Sequence, residues 1–211
     1  MGTLVMVEFL TVDGTMQGLG SPQEDTRDGF QHGGWGAAYA DSIHQVTTTS
    51  GLNATEAYLF GRNTYEKMAA FWPRQSDSNP MAAHLNTTPK YVASRTLTTA
   101  SWANTRILSD QIADAVQNIK SIHNGDTVVL GSGKLARSLL ADGLVDRIRL
   151  FIHPLLLGTG KRLFGALPTP RKLTLTSVAQ TDLGTVALTY DVHQVKKPRE
   201  CQINGGSDLV S

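Results

Sequence analysis

Short apolar runs alternate along the chain with stretches whose apolar residues recur every three or four positions. That is the pattern of strands alternating with helices in an α/β domain. Residues 4–12 predict a first buried strand, stopped by the turn pair Asp13-Gly14. Residues 18–36, rich in Gly, Asp and Gln, predict a long loop, and loops of that length in a compact domain are usually functional or disordered. A helix is expected over 40–52, with Ile43, Val46 and Leu52 as its apolar face. A short strand at 57–60 follows, then a helix over 63–71 that Trp72-Pro73 stops. Residues 76–89 read as polar and irregular, and 90–94 and 105–108 as two strands.

Ser109-Asp110 supplies an N-cap for a helix with Ile112, Val116 and Ile119 on one stripe, closed by Asn124-Gly125. Residues 127–130 predict a strand, Gly131-Ser132-Gly133 a turn and 134–141 a helix. Ile148, Leu150 and Ile152 alternate with Arg147, Arg149 and Phe151, which predicts a strand with one buried face. Residues 172–179 and 186–195 flank Thr181-Asp182-Leu183-Gly184 and predict a hairpin. Helices stop before the last third while strands continue. The expected architecture is therefore a mostly parallel sheet with an antiparallel C-terminal edge.

The 211 residues suit one domain, expected over 1–195, with a polar tail over 196–211 that holds Lys196-Lys197-Pro198-Arg199-Glu200 and Asn204-Gly205-Gly206-Ser207. With 19 Lys and Arg against 18 Asp and Glu, the net charge of +1 excludes broad electrostatic capture of nucleic acid or an anionic membrane. The single cysteine, Cys201, cannot form an internal disulfide. No run approaches the roughly 18 apolar residues of a membrane span. The first strand carries Glu8 inside its apolar run and has no basic leader, unlike a signal peptide. A cytoplasmic protein acting on a small molecule is expected. The six histidines lack metal-ligand spacing, so no metal is expected, and no Ser or Cys nucleophile motif is present.

The candidate chemistry lies just after strand ends. Val128-Val129-Leu130-Gly131-Ser132-Gly133-Lys134-Leu135-Ala136 has the strand, glycine turn and helix start of a phosphate cradle. There the glycines admit the ligand and the first helical amides point at the anion. It is neither a Walker A loop, since Leu135 follows Lys134, nor a full Rossmann fingerprint, since no acid lies about 20 residues on. A tight strand–helix turn that binds nothing is the alternative. Two further junctions repeat the theme: Gly61-Arg62-Asn63-Thr64 and Ser94-Arg95. In an open α/β sheet ligands bind beyond the carboxyl ends of strands, and Arg suits a bidentate grip on phosphate.

These motifs come in order: Val12-Asp13-Gly14, Phe60-Gly61-Arg62-Asn63-Thr64-Tyr65-Glu66, Val92-Ala93-Ser94-Arg95 and Leu130-Gly131-Ser132-Gly133-Lys134. Ile152-His153-Pro154-Leu155-Leu156-Leu157-Gly158-Thr159-Gly160-Lys161 follows. Together they resemble the dihydrofolate reductase-like superfamily, in the branch that includes the reductase domain of bifunctional riboflavin-biosynthesis deaminase–reductases. The resemblance spans about residues 3–193. It implies a three-layer α/β fold, a homodimer and NADPH as cofactor. Gly61, Arg62 and Thr64 are then expected against the diphosphate and 2′-phosphate, and Ser94 and Arg95 against the 2′-phosphate. Gly131, Ser132, Gly133, Lys134 and Leu135 are expected to cradle the diphosphate.

On the substrate side, the folate enzyme carries a carboxylate on its first helix, and Asp41 is the nearest equivalent here, with a helix N-cap as the plain alternative. Trp35 and Tyr65 are candidates for stacking on a flat ring or for core packing. Gly158 and Gly160, in a basic turn with Lys161 and Arg162, are candidates for the substrate side of the cleft. The expected function is an NADPH-dependent reductase that transfers a hydride to a small heteroaromatic or conjugated substrate. The residues show no zinc-deaminase segment, so a stand-alone relative of the riboflavin-pathway reductase is expected. The alternatives are a non-catalytic nucleotide sensor on the same fold and a flavin- or deazaflavin-dependent reductase.

Overall fold

The computed structural model describes residues 1–42, 51–165, 167 and 169–193. Most of the helix expected over 40–52, with Ile43 and Val46, lies outside the described residues, as does the tail 196–211. The elements are β1 (Thr3–Thr11), β2 (Thr55–Gly61), α1 (Arg62–Phe71), α2 (Pro80–Thr87), β3 (Lys90–Ala93), β4 (Thr105–Leu108) and α3 (Ile112–Ile122). β5 (Asp126–Leu130), α4 (Gly133–Ala141), β6 (Arg147–His153), β7 (Leu173–Gln180) and β8 (Val186–Val192) complete the described set.

The strands form one sheet in the order β4-β3-β2-β5-β1-β6-β8-β7. The pairs from β4 through β6 are parallel, while β8 runs antiparallel to both β6 and β7. β1 is central and apolar on both faces because both faces are covered. Leu4, Met6 and Leu10 pack with Val116 of α3 and Ala136, Leu139 and Leu140 of α4. Val5, Val7 and Phe9 pack on the other side with Tyr65 of α1 and Leu85 of α2. The result is three layers, each fully buried Leu or Phe contributing about 1.5–3 kcal/mol of apolar burial.

Four expectations are corrected. Residues 76–89 are not irregular: they contain α2, started by Pro80 in its first turn and by Asn79, whose side chain accepts the amides of Met81 and Ala82 at 3.0 and 3.3 Å. The polar composition concealed two buried positions, Ala82 and Leu85. The N-cap of α3 is Gln111 at φ 44, without a side-chain cap, because the Ser109 hydroxyl donates to Asp110 instead. At the other end of α3, His123 leaves in an extended conformation, and neither Asn124 nor Gly125 adopts a positive φ. Lastly, β6 buries both faces at its carboxyl end, where Phe151 stacks on Phe9 with ring centroids 4.8 Å apart.

The loop expected over 18–36 is an ordered connection with 3-10 turns at Arg27–Gly29 and Trp35–Tyr39. Gln17 organises it, donating from Nε2 to the carbonyls of Asp25 and Arg27, both at 3.0 Å, and accepting Trp35 Nε1 on its own carbonyl at 2.8 Å.

Candidate active site

The parallel order puts the ends of β3, β2 and β5 side by side, and the three glycine- and arginine-bearing junctions meet there. Gly61 is the extended N-cap of α1, and its N–H donates to Ser132 Oγ at 3.0 Å. Thr64, one turn into α1, donates its hydroxyl to the Gly131 carbonyl at 3.1 Å. The Arg62 guanidinium donates to Thr96 Oγ1 at 2.6 Å and to Glu66 at 2.8 Å, linking the start of α1 to the loop after β3. Ser94 shapes that loop by accepting the amides of Thr96 and Leu97 on its hydroxyl at 3.2 and 2.9 Å. Ser94 and Arg95 line a cleft of about 330 Å³ with Ser109, Asp110, Gln111 and Ile112.

The start of α4 supplies the amides. Gly131 takes φ 59, a left-handed conformation that glycine adopts without penalty, and its N–H is spent on the Val7 carbonyl. Ala136 is the first amide of α4 to find an acceptor, the Ser132 carbonyl at 2.8 Å. Among the described residues, the amides of Gly133, Lys134 and Leu135 have no acceptor. They point out of the helix start with its partial positive charge. Lys134 is exposed beside them, and Gly133 sits beneath the Met16 thioether, which would have to move to admit a Cβ.

Ser132 departs from the expected cradle. Its hydroxyl serves Gly61 and the Leu130 carbonyl, and its backbone N–H goes to the Glu8 carboxyl. Glu8 is 1% exposed, and its Oε1 has no partner. Burial raises its pKa to about 8, and Arg137 and the Ser132 amide pull it back only in part. At neutral pH it is a protonated acid beneath the turn before α4. The one sequence signal was an acid inside an apolar strand.

The substrate-side candidates fall into different environments, although Gln17 bonds both Trp35 and the turn with Gly160. Tyr65 is 2% exposed, and its hydroxyl accepts the Trp102 backbone N–H at 3.0 Å, so it belongs to the core. Trp35 is buried against the Gln17 carbonyl, and Asp41 is exposed on the helical turn that follows Trp35–Tyr39. The turn with Gly158 and Gly160 is a strap on the loop after β1. Asp13 accepts the amides of Leu157 and Gly158 at 3.3 and 2.9 Å, and Gln17 Oε1 accepts that of Lys161 at 2.9 Å. Lys161 Nζ is already matched by Asp28 at 3.2 Å and Asp25 at 3.6 Å. Within that turn Lys161 is matched by carboxylates, while Arg162 is exposed and in no ion pair among the described residues.

His153, which lies in the motif over 152–161 without a role assigned from sequence, ends β6 opposite Thr11 of β1. It is 0% exposed, with Nδ1 paired to Thr185 Oγ1 at 3.0 Å and Nε2 unpartnered. Phe9, Trp35 and Tyr39 surround its ring at centroid distances of 6.3, 5.4 and 4.9 Å. Burial lowers its pKa to about 4, so the imidazole is neutral at neutral pH. Among the described residues no group of three or more His, Cys, Asp or Glu is arranged to hold a metal ion. Nor is any described helix long and apolar enough to cross a membrane.

The family model of the RibD C-terminal domain matches residues 3–187. The chain belongs to the RibD C-terminal domain family. It is 29% identical over 146 residues to protein YyaP of Bacillus subtilis (strain 168), covering 67% of this chain and 77% of that one. A riboflavin-biosynthesis candidate protein from Shewanella sp. PV-4 shares the fold at a TM-score of 0.65 and 14% identity, over 91% of this chain and 99% of that one. A pyrimidine reductase-like protein of Corynebacterium diphtheriae superposes at 0.55 with 13% identity, over 92% of each chain. Acinetobacter baumannii RibD does so at 0.56 with 15% identity, over 92% of this chain and 59% of the longer RibD chain. These neighbours confirm the dihydrofolate reductase-like fold expected from the motifs.

Proposed function

We propose that the protein is an NADPH-dependent reductase that passes a hydride to a small heteroaromatic or conjugated substrate. The observation that carries this reading is the row of open amides at Gly133, Lys134 and Leu135, next to the Arg62–Thr96 junction and the Arg95 cleft. That donor set suits a dinucleotide: helix-start amides for a diphosphate, and two guanidinium groups near one further phosphate. When bound, NADPH supplies the hydride.

The chain's own residues bind, orient and exclude water. Arg62 is held by Glu66 and Thr96 before any ligand arrives, which reduces the entropy lost on binding. Ser132 fixes the spacing between Gly61 and the start of α4. Met16 and the strapped loop after β1 lie over Gly133 and screen this end of the sheet. Family membership, and a neighbour described as pyrimidine reductase-like, support a flat nitrogen heterocycle as substrate. Family resemblance also leads us to take the protein as a cytoplasmic homodimer.

Equilibrium titration tests the cofactor. NADPH should bind at least tenfold tighter than NADH, and combining Arg62→Ala with Arg95→Ala should abolish the difference. Equal affinity of the unmodified protein for both cofactors overturns the reading. Turnover is tested by NADPH oxidation with pterin, pyrimidine and flavin acceptors, where binding without oxidation by any of them indicates a nucleotide sensor.

A further inference from the structure

β1 lies between β5 and β6; the amide-bearing turn follows β5 where it ends opposite Val7, whereas His153 ends β6 opposite Thr11, four residues further along β1. With adjacent strands about 4.8 Å apart and a rise of about 3.3 Å per residue, the end of β5 and His153 lie roughly 16 Å apart on the sheet. The turn offers donors to an anion. His153 offers something different: a neutral imidazole whose Nε2 is buried without a partner inside a ring of aromatic side chains. Native proteins leave few buried polar atoms unsatisfied. Thr185 holds Nδ1 at 3.0 Å, so the ring's orientation is set and only Nε2 remains to be used.

The walls around this imidazole are not equally secured. Trp35 is anchored by a buried 2.8 Å bond to the Gln17 carbonyl, and Phe9 by its stack on Phe151. Tyr39 lies nearest, tilted by 42° over the imidazole. Its hydroxyl makes one long bond, 3.4 Å to the Pro154 carbonyl, on the exposed side. A bond of that length outside the core contributes little. Tyr39 therefore covers the cage as a loosely latched flat ring, beside two fixed walls.

We propose that Tyr39 occupies the seat of a flat heteroaromatic ligand ring, and that His153 Nε2 hydrogen-bonds the polar edge of that ring once Tyr39 swings out. Pyrimidine- or pteridine-type rings fit because they combine a stacking face with ring nitrogens and carbonyls at hydrogen-bonding positions. A neutral imidazole among aromatic rings gives no grip on a phosphate or a carboxylate. As the substrate site of a reductase the cage rests on the function proposed above; as a ring-binding site it can be tested without the cofactor.

The probe is lumazine, titrated calorimetrically without NADPH, with ¹⁵N-histidine NMR reporting on His153. In the unmodified protein lumazine should shift the His153 Nε2 resonance. Tyr39→Ala, which empties the seat, should bind lumazine at least tenfold tighter. His153→Phe keeps the ring volume and should bind at least tenfold weaker, whereas His153→Gln, which carries a polar group near Nε2, should recover most of the loss. Unaltered affinity in His153→Phe, no gain in Tyr39→Ala, or no lumazine binding by either the unmodified protein or Tyr39→Ala overturns the proposal. NADPH affinity measured on the same variants separates the two readings. If the lumazine pattern holds while NADPH fails to bind, only the cofactor assignment falls; if NADPH binds and the pattern fails, only the ring seat falls.

Discussion

The Gly61 backbone N–H donates to the Ser132 hydroxyl at 3.0 Å, joining the end of β2 to the turn after β5. Two junctions separated by 71 positions in the chain thus behave as one surface. Ser132→Ala removes the acceptor and leaves the Gly61 amide unanswered, at a cost of about 1–2 kcal/mol. For a domain of this size that is a fall in Tm of about 2–4 °C per kcal/mol. NADPH affinity should drop several-fold in the same variant, because the spacing between Arg62 and the start of α4 is no longer held. Thermal melts and NADPH titration check both effects.

Glu8 makes stability depend on pH in a stated direction. Its carboxyl titrates near 8 in the fold against an ordinary 4.5. Between those values the unfolded chain gives up a proton that the native state keeps, so stability falls as pH rises, by at most about 1.4 kcal/mol per pH unit. The loss is absent below pH 4.5 and complete above about 8. Glu8→Gln keeps the shape and cannot ionise, so its Tm should match the unmodified protein near pH 4.5 and exceed it increasingly up to pH 8. Parallel melting curves for the two proteins across that range would show that Glu8 is ionised when folded.

Lys90 closes the end of α2. It is 1% exposed, and its Nζ donates to the carbonyls of Leu85 and Thr88 at 2.7 Å each, 4.7 Å above the Trp102 ring centroid. Lys90→Met strands those carbonyls in the interior and removes the cation–π contact, so a loss of about 2–4 kcal/mol is expected. Asn79→Ala, at the other end of α2, should cost only about 1 kcal/mol, the usual value of an N-cap. Urea denaturation of the two variants side by side tests the ranking.

Gly158 and Gly160 both take positive φ, 69 and 97, but only Gly160 is hemmed in. A Cβ there would lie 2.7 Å from both the Phe30 ring and the Thr15 methyl, whereas at Gly158 it meets nothing within 4 Å. Gly158→Ala should therefore cost only the left-handed strain, about 1–2 kcal/mol. Gly160→Ala should cost clearly more and loosen the loop after β1. Melting temperatures rank the pair, and limited proteolysis of residues 18–36 reads the loosening.

Much of the backbone was legible in the sequence. Strand positions followed from apolar runs, the parallel order with its antiparallel edge from where the helices stop, and the three junctions from Gly61, Ser94 and Gly131 beyond strand ends. These features are local: backbone periodicity and turn chemistry are written into a few neighbouring residues. The helix α2 was missed because its stability is not local; it depends on Leu85 entering the core and on Lys90 reaching back from β3 to its last carbonyls.

The site divides in the same way. Residue type and spacing picked out Gly61, Arg62, Thr64, Ser94, Arg95 and the turn before α4, since a strand end followed by glycine and a cation is readable in one dimension. Only the tertiary structure decided that Tyr65 lies in the core and that the turn with Gly158 and Gly160 is a strap. It also decided that Glu8 is a buried neutral acid and that His153 Nε2 stands unpaired among rings. Each depends on which distant segment covers the side chain: α4 and Ser132 over Glu8, the turn Trp35–Tyr39 over His153. The sequence alone determined where the backbone turns; how those buried polar groups ionise and what they can bind was decided by segments far along the chain that exclude water from them.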